Sequence, residues 1–334
     1  MKPKSVFACI NTNLSVRINS SSGGFFSLLA EDILLKKGVI YGVKMSDDCY
    51  SAEYARVTDI EDLDILRRSK YLQAKIGDTY SSVKKDLLMG RYVLFSGTGC
   101  SIIGLRSFLG KDFENLILVD FVCHGVPSPS LWKKHAKYQE KKYKGKLKAI
   151  YFRCKEKHKW SETAMKYEFQ ENKEQKKIVF TNFNDDYFMQ MFLNNFCLRP
   201  SCYNCTAKII KFADITIADF WGIDKVIKRF NDEKGTSLVL IRTRKGSNAF
   251  KALSNKMKYV EVSYKDVLRY NPSECKSAEK PRQRDSFYED LLQMNYIDLY
   301  KKYSISKLSS IITRIQNKIK RILGQYINCV SRKS

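Results

Sequence analysis

Two patterns of apolar positions alternate along the first 145 residues. Apolar residues recur every three or four positions in four segments, which predicts helices at 25–37, 81–89, 102–109 and 131–142. Short, mostly apolar runs lie between them and predict strands at 39–43, 92–96 and 116–122, the last of them buried. This alternation of helix and strand predicts an α/β fold, with a mostly parallel sheet and helices on its faces.

Residues 146–300 show a different pattern, which predicts a smaller mixed α+β part. Charged loops separate three predicted short strands at 147–153, 164–169 and 177–181. A helix is predicted at 185–196 and further strands at 214–220 and 237–242. We therefore divide the chain into an α/β part (1–145), the mixed part (146–300) and a C-terminal segment (301–334).

The C-terminal segment carries an apolar stripe at helical spacing and no acidic residue. It holds nine Lys or Arg residues. The stripe within 305–327 consists of Leu308, Ile311, Ile312, Ile315, Ile319, Ile322, Leu323, Tyr326 and Ile327. Such a basic amphipathic helix is suited to an anionic membrane surface. Packing on the protein's own core and docking to a partner protein are the alternatives.

The charge of the whole chain narrows the choice of partners. There are 60 Lys or Arg residues against 35 Asp or Glu, for a net charge of +25. A basic protein favours acidic partners, such as nucleic acid, phospholipid or an acidic protein. The chain shows no familiar nucleic-acid motif, so we expect no specific nucleic-acid partner. It also shows no apolar run of spanning length and no signal-peptide core, so we expect a cytoplasmic protein.

Ten cysteines are present, and in a cytoplasmic chain they favour metal ligation, catalysis or packing over disulfides. Cys202 and Cys205 form a Cys-x-x-Cys pair, whose spacing lets one turn present two thiolates. Cys100 and Cys123 each follow a predicted strand in a glycine-containing loop, and neighbouring parallel strands would bring them together. An iron–sulfur cluster needs about four thiolates, and these four are the candidates, with Cys197 as a fifth.

A zinc-stabilised binding protein is the alternative interpretation of these cysteines. Structural zinc sites usually show a second close pair, and this chain has none. A brown colour, with absorbance near about 400 nm, would separate an iron–sulfur protein from a colourless zinc protein.

Small residues precede the first long predicted helix, in the loop Ser20-Ser21-Ser22-Gly23-Gly24. A loop of this kind at a helix N-terminus is suited to holding a phosphate group. The alternative is an ordinary helix cap.

Taken together, the chain resembles the coenzyme F-420 hydrogenase/dehydrogenase beta-subunit family. The matching stretches run in order from about residue 20 to residue 290 and are SSSGGFFSLLAEDILLKKGVIYG, SKYLQAKIGDTY, VLFSGTGCSIIGLRSFLG, DFVCHGVPSP, CLRPSCYNC, DITIADFWGI and NPSECKSAEKPRQRDSFYEDL. The chain departs from the family pattern at Gly99 and Ser101, where Pro and Gln are usual.

The resemblance implies an iron–sulfur flavoprotein oxidoreductase that passes electrons between a cluster, a flavin and an acceptor. It implies a 4Fe-4S cluster on Cys100, Cys123, Cys202 and Cys205, without Cys197. It places FAD or FMN in a pocket formed in the 1–145 part by Ser22, Gly23, Gly24, Lys70, Tyr71, Gly97 and Thr98.

The resemblance also implies partners and a cellular setting. Many bacterial relatives begin with a ferredoxin module that this sequence does not show, so we expect a separate ferredoxin-like electron donor. Relatives often accompany capsular polysaccharide genes, which suggests a reductive role in polysaccharide biosynthesis, peripheral to the inner face of the membrane. The alternative is a zinc- or cluster-stabilised, non-enzymatic partner protein in a membrane-associated complex.

Overall fold

The computed structural model describes residues 2–171 and 175–304. Within these ranges the strands are β1 (Ser5–Asn11), β2 (Val39–Met45), β3 (Ala52–Val57), β4 (Ala74–Lys75), β5 (Val93–Gly97), β6 (Leu116–Phe121), β7 (Lys146–Cys154), β8 (Ala164–Gln170), β9 (Lys176–Asn182), β10 (Ile215–Asp219), β11 (Ser237–Ile241) and β12 (Met257–Glu261). The predicted amphipathic helix at 305–327 lies outside the described residues.

Helices flank these strands. The α-helices are α1 (Leu14–Ile18), α2 (Phe25–Leu35), α3 (Thr79–Leu88), α4 (Gly99–Leu109), α5 (Pro129–Tyr143), α6 (Tyr187–Leu193), α7 (Ile223–Val226), α8 (Arg244–Ala252), α9 (Tyr264–Tyr270), α10 (Arg284–Gln293) and α11 (Tyr296–Tyr303). Short 3₁₀ helices cover Glu61–Leu66, Trp160–Glu162, Pro200–Cys202, Thr206–Lys208, Ser254–Lys256 and Pro272–Glu274. No helix in the described ranges combines the length and the apolar character needed to cross a bilayer.

Nine strands form one mixed sheet in the order β12–β1–β11–β10–β6–β5–β2–β3–β4. Its centre is parallel, because β10 pairs with β6, β6 with β5, and β5 with β2 in parallel register. Antiparallel pairs extend the sheet on both sides, through β11, β1 and β12 on one side and β3 on the other. The predicted α/β class, with a parallel central sheet and flanking helices, is confirmed.

Both faces of the central strands are buried, which explains their continuous apolar runs. In β5, Val93 and Phe95 face a core shared with α3 and α4. Leu94, between them, faces the opposite core, which is shared with α2. Since successive side chains of a strand point to opposite faces, a strand covered by helices on both faces is apolar at most positions, although β6 also buries Asp120.

Residues 146–182 form the second sheet, an antiparallel one in the order β7–β8–β9. Its core includes Trp132, Phe152 and Phe188 and also contains residues of α10 and α11. Strands β10, β11 and β12, although they belong to the 146–300 part, complete the large sheet rather than the small one. The boundary at residue 145 therefore does not separate the two sheets, and the division into domains stays a prediction.

Candidate functional site

Two of the candidate thiols lie at equivalent positions beyond neighbouring parallel strands. Gly97, at the end of β5, pairs with Asp120 of β6. Cys100 and Cys123 each follow one of these two residues by three positions. Because both strands end at the same edge of the sheet, the geometry brings the two loops together, as the sequence predicts.

The Cys202–Cys205 loop docks onto this edge through two glycines. A Cβ atom on Gly99 would lie 2.9 Å from Cβ of Ala207, in the 3₁₀ helix that follows Cys205. A Cβ atom on Gly125 would lie 2.8 Å from Leu198 and 3.4 Å from Cβ of Cys202. Any larger residue at Gly99 or Gly125 would hold the loop away from the strand ends.

The four thiols influence one another electrostatically. Burial, together with the nearby thiols of Cys100 and Cys202, raises the pKa of the Cys123 thiol to about 12, while Lys208 acts to lower it. Burial also raises the pKa of Cys202, to which Cys205 and Cys100 contribute. The backbone N–H of Val126 donates to Sγ of Cys202 at 3.4 Å, and this hydrogen bond acts to lower the pKa of Cys202. Cys100, Cys123 and Cys202 therefore lie near one another, with Cys205 near Cys202, and their role as cluster ligands stays a prediction.

Cys197 is fully buried in the neighbouring core, where burial raises its pKa. Its backbone carbonyl accepts hydrogen bonds from the Ser128 amide and from the hydroxyl of Tyr288. These contacts anchor the start of the cysteine loop to α5 and α10. They give Cys197 a packing role beside the four-thiol group.

The assignment of the four thiols to an iron–sulfur cluster, rather than to a single ion, stays a prediction. Among the described residues, no three or more His, Cys, Asp or Glu side chains stand close enough to hold one metal ion. A zinc ion gathers its four thiolates around one centre. A cluster binds each thiolate through a different iron and therefore spaces the sulfurs more widely.

A further segment, which the sequence reasoning did not assign to the site, supports the cysteine loop from behind. The backbone N–H of Cys205 donates to Oγ of Ser277 at 2.9 Å. Nζ of Lys208 donates to the carbonyl oxygens of Cys123 and Ser273. Lys208 thus ties together the Cys123 turn, the cysteine loop and the segment 272–277. The signal that could have found this segment is the stretch NPSECKS, which the family resemblance already contains.

A cavity of about 340 Å³ opens beside the thiols. Its size lies at the lower end of the range for small-molecule sites. Five of the predicted flavin-pocket residues line it, namely Ser22, Gly24, Lys70, Tyr71 and Thr98, and so do Cys100 and Cys123. Thr98 connects the two groups, because its Oγ1 lies 3.0 Å from Sγ of Cys100.

The other two predicted pocket residues, Gly23 and Gly97, do not line the cavity. A Cβ atom on Gly23 would lie 2.3 Å from the carbonyl oxygen of Cys9 and 2.5 Å from the backbone nitrogen of Ser237. A Cβ atom on Gly97 would lie 2.2 Å from the hydroxyl of Tyr54, a side chain that does line the cavity. Both glycines permit close packing behind the wall, and a role toward a flavin stays a prediction for them.

The small-residue loop is held rigidly at one end of the cavity. The hydroxyl of Ser22 donates to the carbonyl of Thr236 at 2.6 Å. Nζ of Lys155 donates to three backbone carbonyls, those of Arg17, Ser22 and Lys234, at 2.7–2.8 Å. Burial lowers the pKa of Lys155 to about 7. Gly24 then begins α2 in a left-handed conformation, with no side chain capping the first turn of the helix.

Cations outnumber anions along the cavity wall. Arg67, Arg68, Lys70 and Arg199 line it, against a single carboxylate in the described lining, Asp219. That carboxylate is already engaged, since it accepts from Nε1 of Trp160 at 3.1 Å and pairs with Arg153 at 3.4 Å. Burial and the neighbouring Arg68 lower the pKa of Lys70 to about 7. The wall therefore favours an anionic ligand.

Sequence reasoning did not single out several of the residues that line the cavity. Asp219 and the cations Arg67, Arg68 and Arg199 were not predicted as site residues, because nothing in their local pattern sets them apart from surface charge. Two aromatic residues follow Asp219 and pack beside the cavity. There Phe220 is fully buried and Trp221 stacks on Trp160 at 5.1 Å.

The chain is similar in sequence to a known protein family over a segment that contains the cysteine turns. The family model for the C-terminal part of the beta subunit in coenzyme F420 hydrogenase/dehydrogenase matches residues 90–279. A solved chain from the F420-reducing [NiFe] hydrogenase complex of Methanosarcina barkeri, studied as a xenon derivative, is 14% identical, with a TM-score of 0.49 over 84% of this chain and 97% of that chain. No curated protein matches the sequence. Because the family model covers more than half of the chain, this protein belongs to the coenzyme F420 hydrogenase/dehydrogenase beta-subunit family, a family of hydrogenase- and dehydrogenase-type subunits.

Proposed function

We propose that the protein is an iron–sulfur flavoprotein oxidoreductase. In this proposal Cys100, Cys123, Cys202 and Cys205 hold a 4Fe-4S cluster, and the adjacent cavity holds FAD or FMN. The cluster would supply one-electron steps and the flavin two-electron steps, so that together they connect a one-electron donor to a two-electron acceptor.

One observation carries the proposal: a single cavity has the small-residue loop on one wall and two of the four thiols, Cys100 and Cys123, on another. A ligand that fills this cavity must lie within van der Waals reach of the cysteine turns. Short separation is the main requirement for electron transfer between two bound groups. The protein's contribution is then to fix that distance and to keep the groups out of bulk water.

The cavity residues suit the parts of a flavin nucleotide. The uncapped first turn of α2, which follows Gly24, can donate backbone hydrogen bonds to a phosphate. The side chains of Arg68 and Lys70 add positive charge there. Tyr71, which packs edge-on against Phe152 and Phe183, presents a fixed apolar surface to a flat ring.

The decisive experiment is to purify the protein without oxygen and to measure iron, acid-labile sulfide and flavin. We expect about four irons per chain and absorbance near about 400 nm. In the double variant Cys202→Ser, Cys205→Ser, iron and visible absorbance should fall to background, because two of four ligands are lost.

Cys275→Ser is the matched control for this experiment. Cys275 is an exposed free thiol whose Sγ lies 3.3 Å from the Tyr264 hydroxyl, and it stands outside the four-thiol group. This variant should keep its full iron content. Undiminished iron in the double variant would refute the cluster assignment. Absence of FAD and FMN binding in fluorescence titrations of the intact protein would refute the flavin assignment.

The wider role that we propose rests on the family resemblance. The protein would work on the cytoplasmic side of a bacterial membrane, receive electrons from a separate ferredoxin-like protein and reduce an intermediate of polysaccharide biosynthesis. Anaerobic mixing of the reduced protein with nucleotide sugars tests this role, since a true acceptor should reoxidise the bound flavin. Failure of every sugar tested would shift the search to other two-electron acceptors.

A further inference from the structure

The segment that follows Cys205 reverses the usual arrangement of charged and apolar side chains. Lys208 and Lys211 turn inward, where Lys208 donates to the carbonyls of Cys123 and Ser273. Nζ of Lys211 donates to the carbonyl of Glu274 at 2.8 Å and pairs with its buried carboxylate at 3.4 Å. Both lysines therefore connect the cysteine loop to the segments that pack beneath it.

The apolar side chains of the same segment turn outward. Ile209 is 76% exposed, Ile210 41% and Phe212 44%. We call these three residues the apolar patch. Leaving three large apolar side chains in water forgoes the favourable free energy of burying them. Exposed apolar side chains that lie next to one another often mark an interaction site.

The apolar patch lies beside the cysteine turns. The 3₁₀ helix Thr206–Lys208, directly before Ile209, packs against Gly99 at the start of α4. Cys100, the next residue of α4, has an exposed side chain. The guanidinium of Arg106, farther along α4, stands 5.8 Å from the centre of the Phe212 ring. The patch therefore continues from the solvent-facing end of the four-thiol group.

We propose that the apolar patch is the docking surface for a small acidic iron–sulfur electron carrier. This inference rests on the proposed function, because it assumes a cluster on the four cysteines. An apolar centre beside cations is the surface that an acidic carrier with a small apolar contact would complement. Arg106 adjoins the patch, and Asp112 pairs with both Arg106 and Lys245, which leaves an excess of positive charge there. The net charge of +25 also favours an acidic partner over a basic one.

Docking at this position has a defined consequence for electron flow. With a cluster held by the four cysteines, a docked carrier would be oxidised by one electron and that cluster reduced by one, and no bond would form or break. Such encounters are typically small and transient, so that the oxidised carrier can leave. A small patch of three side chains suits a contact of that kind better than a permanent interface.

The test uses Ile209→Asp in the full chain, with an acidic bacterial two-cluster ferredoxin as the probe. Ile209 is the most exposed residue of the patch, so the fold should tolerate the change. Binding to immobilised oxidised ferredoxin at low salt should weaken by about tenfold, since central interface residues cost this much or more. Leu35→Asp is the matched control. Leu35 is 65% exposed and ends α2, before β2 begins and hence at the opposite edge of the sheet.

Kinetics separate this inference from the proposed function. In Ile209→Asp, reduction of the visible chromophore by reduced ferredoxin should slow, while reduction by dithionite should keep the rate of the unchanged protein. Equal ferredoxin affinity and rate in the unchanged protein and in Ile209→Asp would overturn the docking inference. A change of oligomeric state in Ile209→Asp would also overturn it, because it would assign the patch to a second copy of the chain. Absence of any chromophore would instead reject the cluster itself.

Discussion

At the scale of the residue, the properties of the cavity depend on charged side chains that are partly removed from water. Nζ of Lys70 donates to the carbonyl oxygens of Ile65, at 2.9 Å, and Arg67. These carbonyls stabilise an ammonium group that burial and Arg68 otherwise disfavour, and the pKa stays lowered, at about 7. A lysine in this state changes its charge within the physiological range, which few side chains other than histidine do.

We therefore expect flavin binding to depend on pH through Lys70. Below pH 7 the ammonium is charged and attracts the flavin phosphate, and above pH 7 it loses its proton, so affinity should fall as pH rises. Binding at pH 8 should take up a proton, because the bound anion raises the pKa of Lys70. Calorimetric titrations in buffers of different ionisation enthalpy would measure that uptake. In Lys70→Met the uptake should disappear and affinity should drop by about tenfold. Uptake that persists in Lys70→Met would assign the proton to another group.

At the scale of the element, the site depends on how closely the cysteine loop approaches α4. Gly99→Ala adds one methyl group, at 2.9 Å from Cβ of Ala207. We expect overpacking of about 1–3 kcal/mol at the contact, which should displace the loop and lower the iron content. The double variant Gly99→Ala, Ala207→Gly removes the opposing methyl group and should restore the iron. Iron analysis of both variants tests this prediction. An unchanged iron content in Gly99→Ala would contradict it and show that the loop can adjust to the added methyl group.

Sequence pattern predicted the central elements well and the edges of the sheet poorly. The predicted helix at 25–37 and the strands at 92–96 and 116–122 correspond to α2, β5 and β6, because strands buried on both faces give continuous apolar runs. Strand β3, Ala52–Val57, was missed, since its sequence AEYARV mixes charged with apolar residues as an outer strand can. Strands β1 and β12 were missed as well, and they too lie at or next to the sheet edge.

The same limit applies to the candidate site. The cysteines could be predicted because a thiol in a glycine-containing loop after a strand is a local signal. The contacts that assemble the site are not local: Lys155 reaches Ser22, and Lys208 reaches Ser273, across more than 60 residues. The sequence also could not show whether Gly23 and Gly97 face a ligand or pack against the protein. Glycine serves both purposes, because its missing side chain leaves room for either a ligand or a neighbouring protein segment.

At the scale of the whole molecule, the uneven charge points to where the protein works. Residues 301–334 contribute +9 of the net +25 and contain no acidic residue. Helix α11 ends at Tyr303, so a chain that stops at Ser304 keeps every helix described above. We expect the full chain to sediment with anionic vesicles at low salt, because each basic residue near such a surface contributes about 1 kcal/mol. The chain ending at Ser304 should stay in the supernatant. Equal sedimentation of the full chain and the chain ending at Ser304 would contradict membrane binding by the C-terminal segment.

The position of β1 in the large sheet has a consequence for how the protein is made. Within the described part of the chain, this strand, Ser5–Asn11, pairs only with β11 and β12, which end at Ile241 and Glu261. A ribosome therefore releases β1 long before either partner exists, and at usual synthesis rates the interval is roughly 10–50 s. During that time a mostly apolar strand has both edges open to other chains. Newly synthesised chains should depend on chaperones during this interval. Strand β1 should be the last strand of the large sheet to form its pairs.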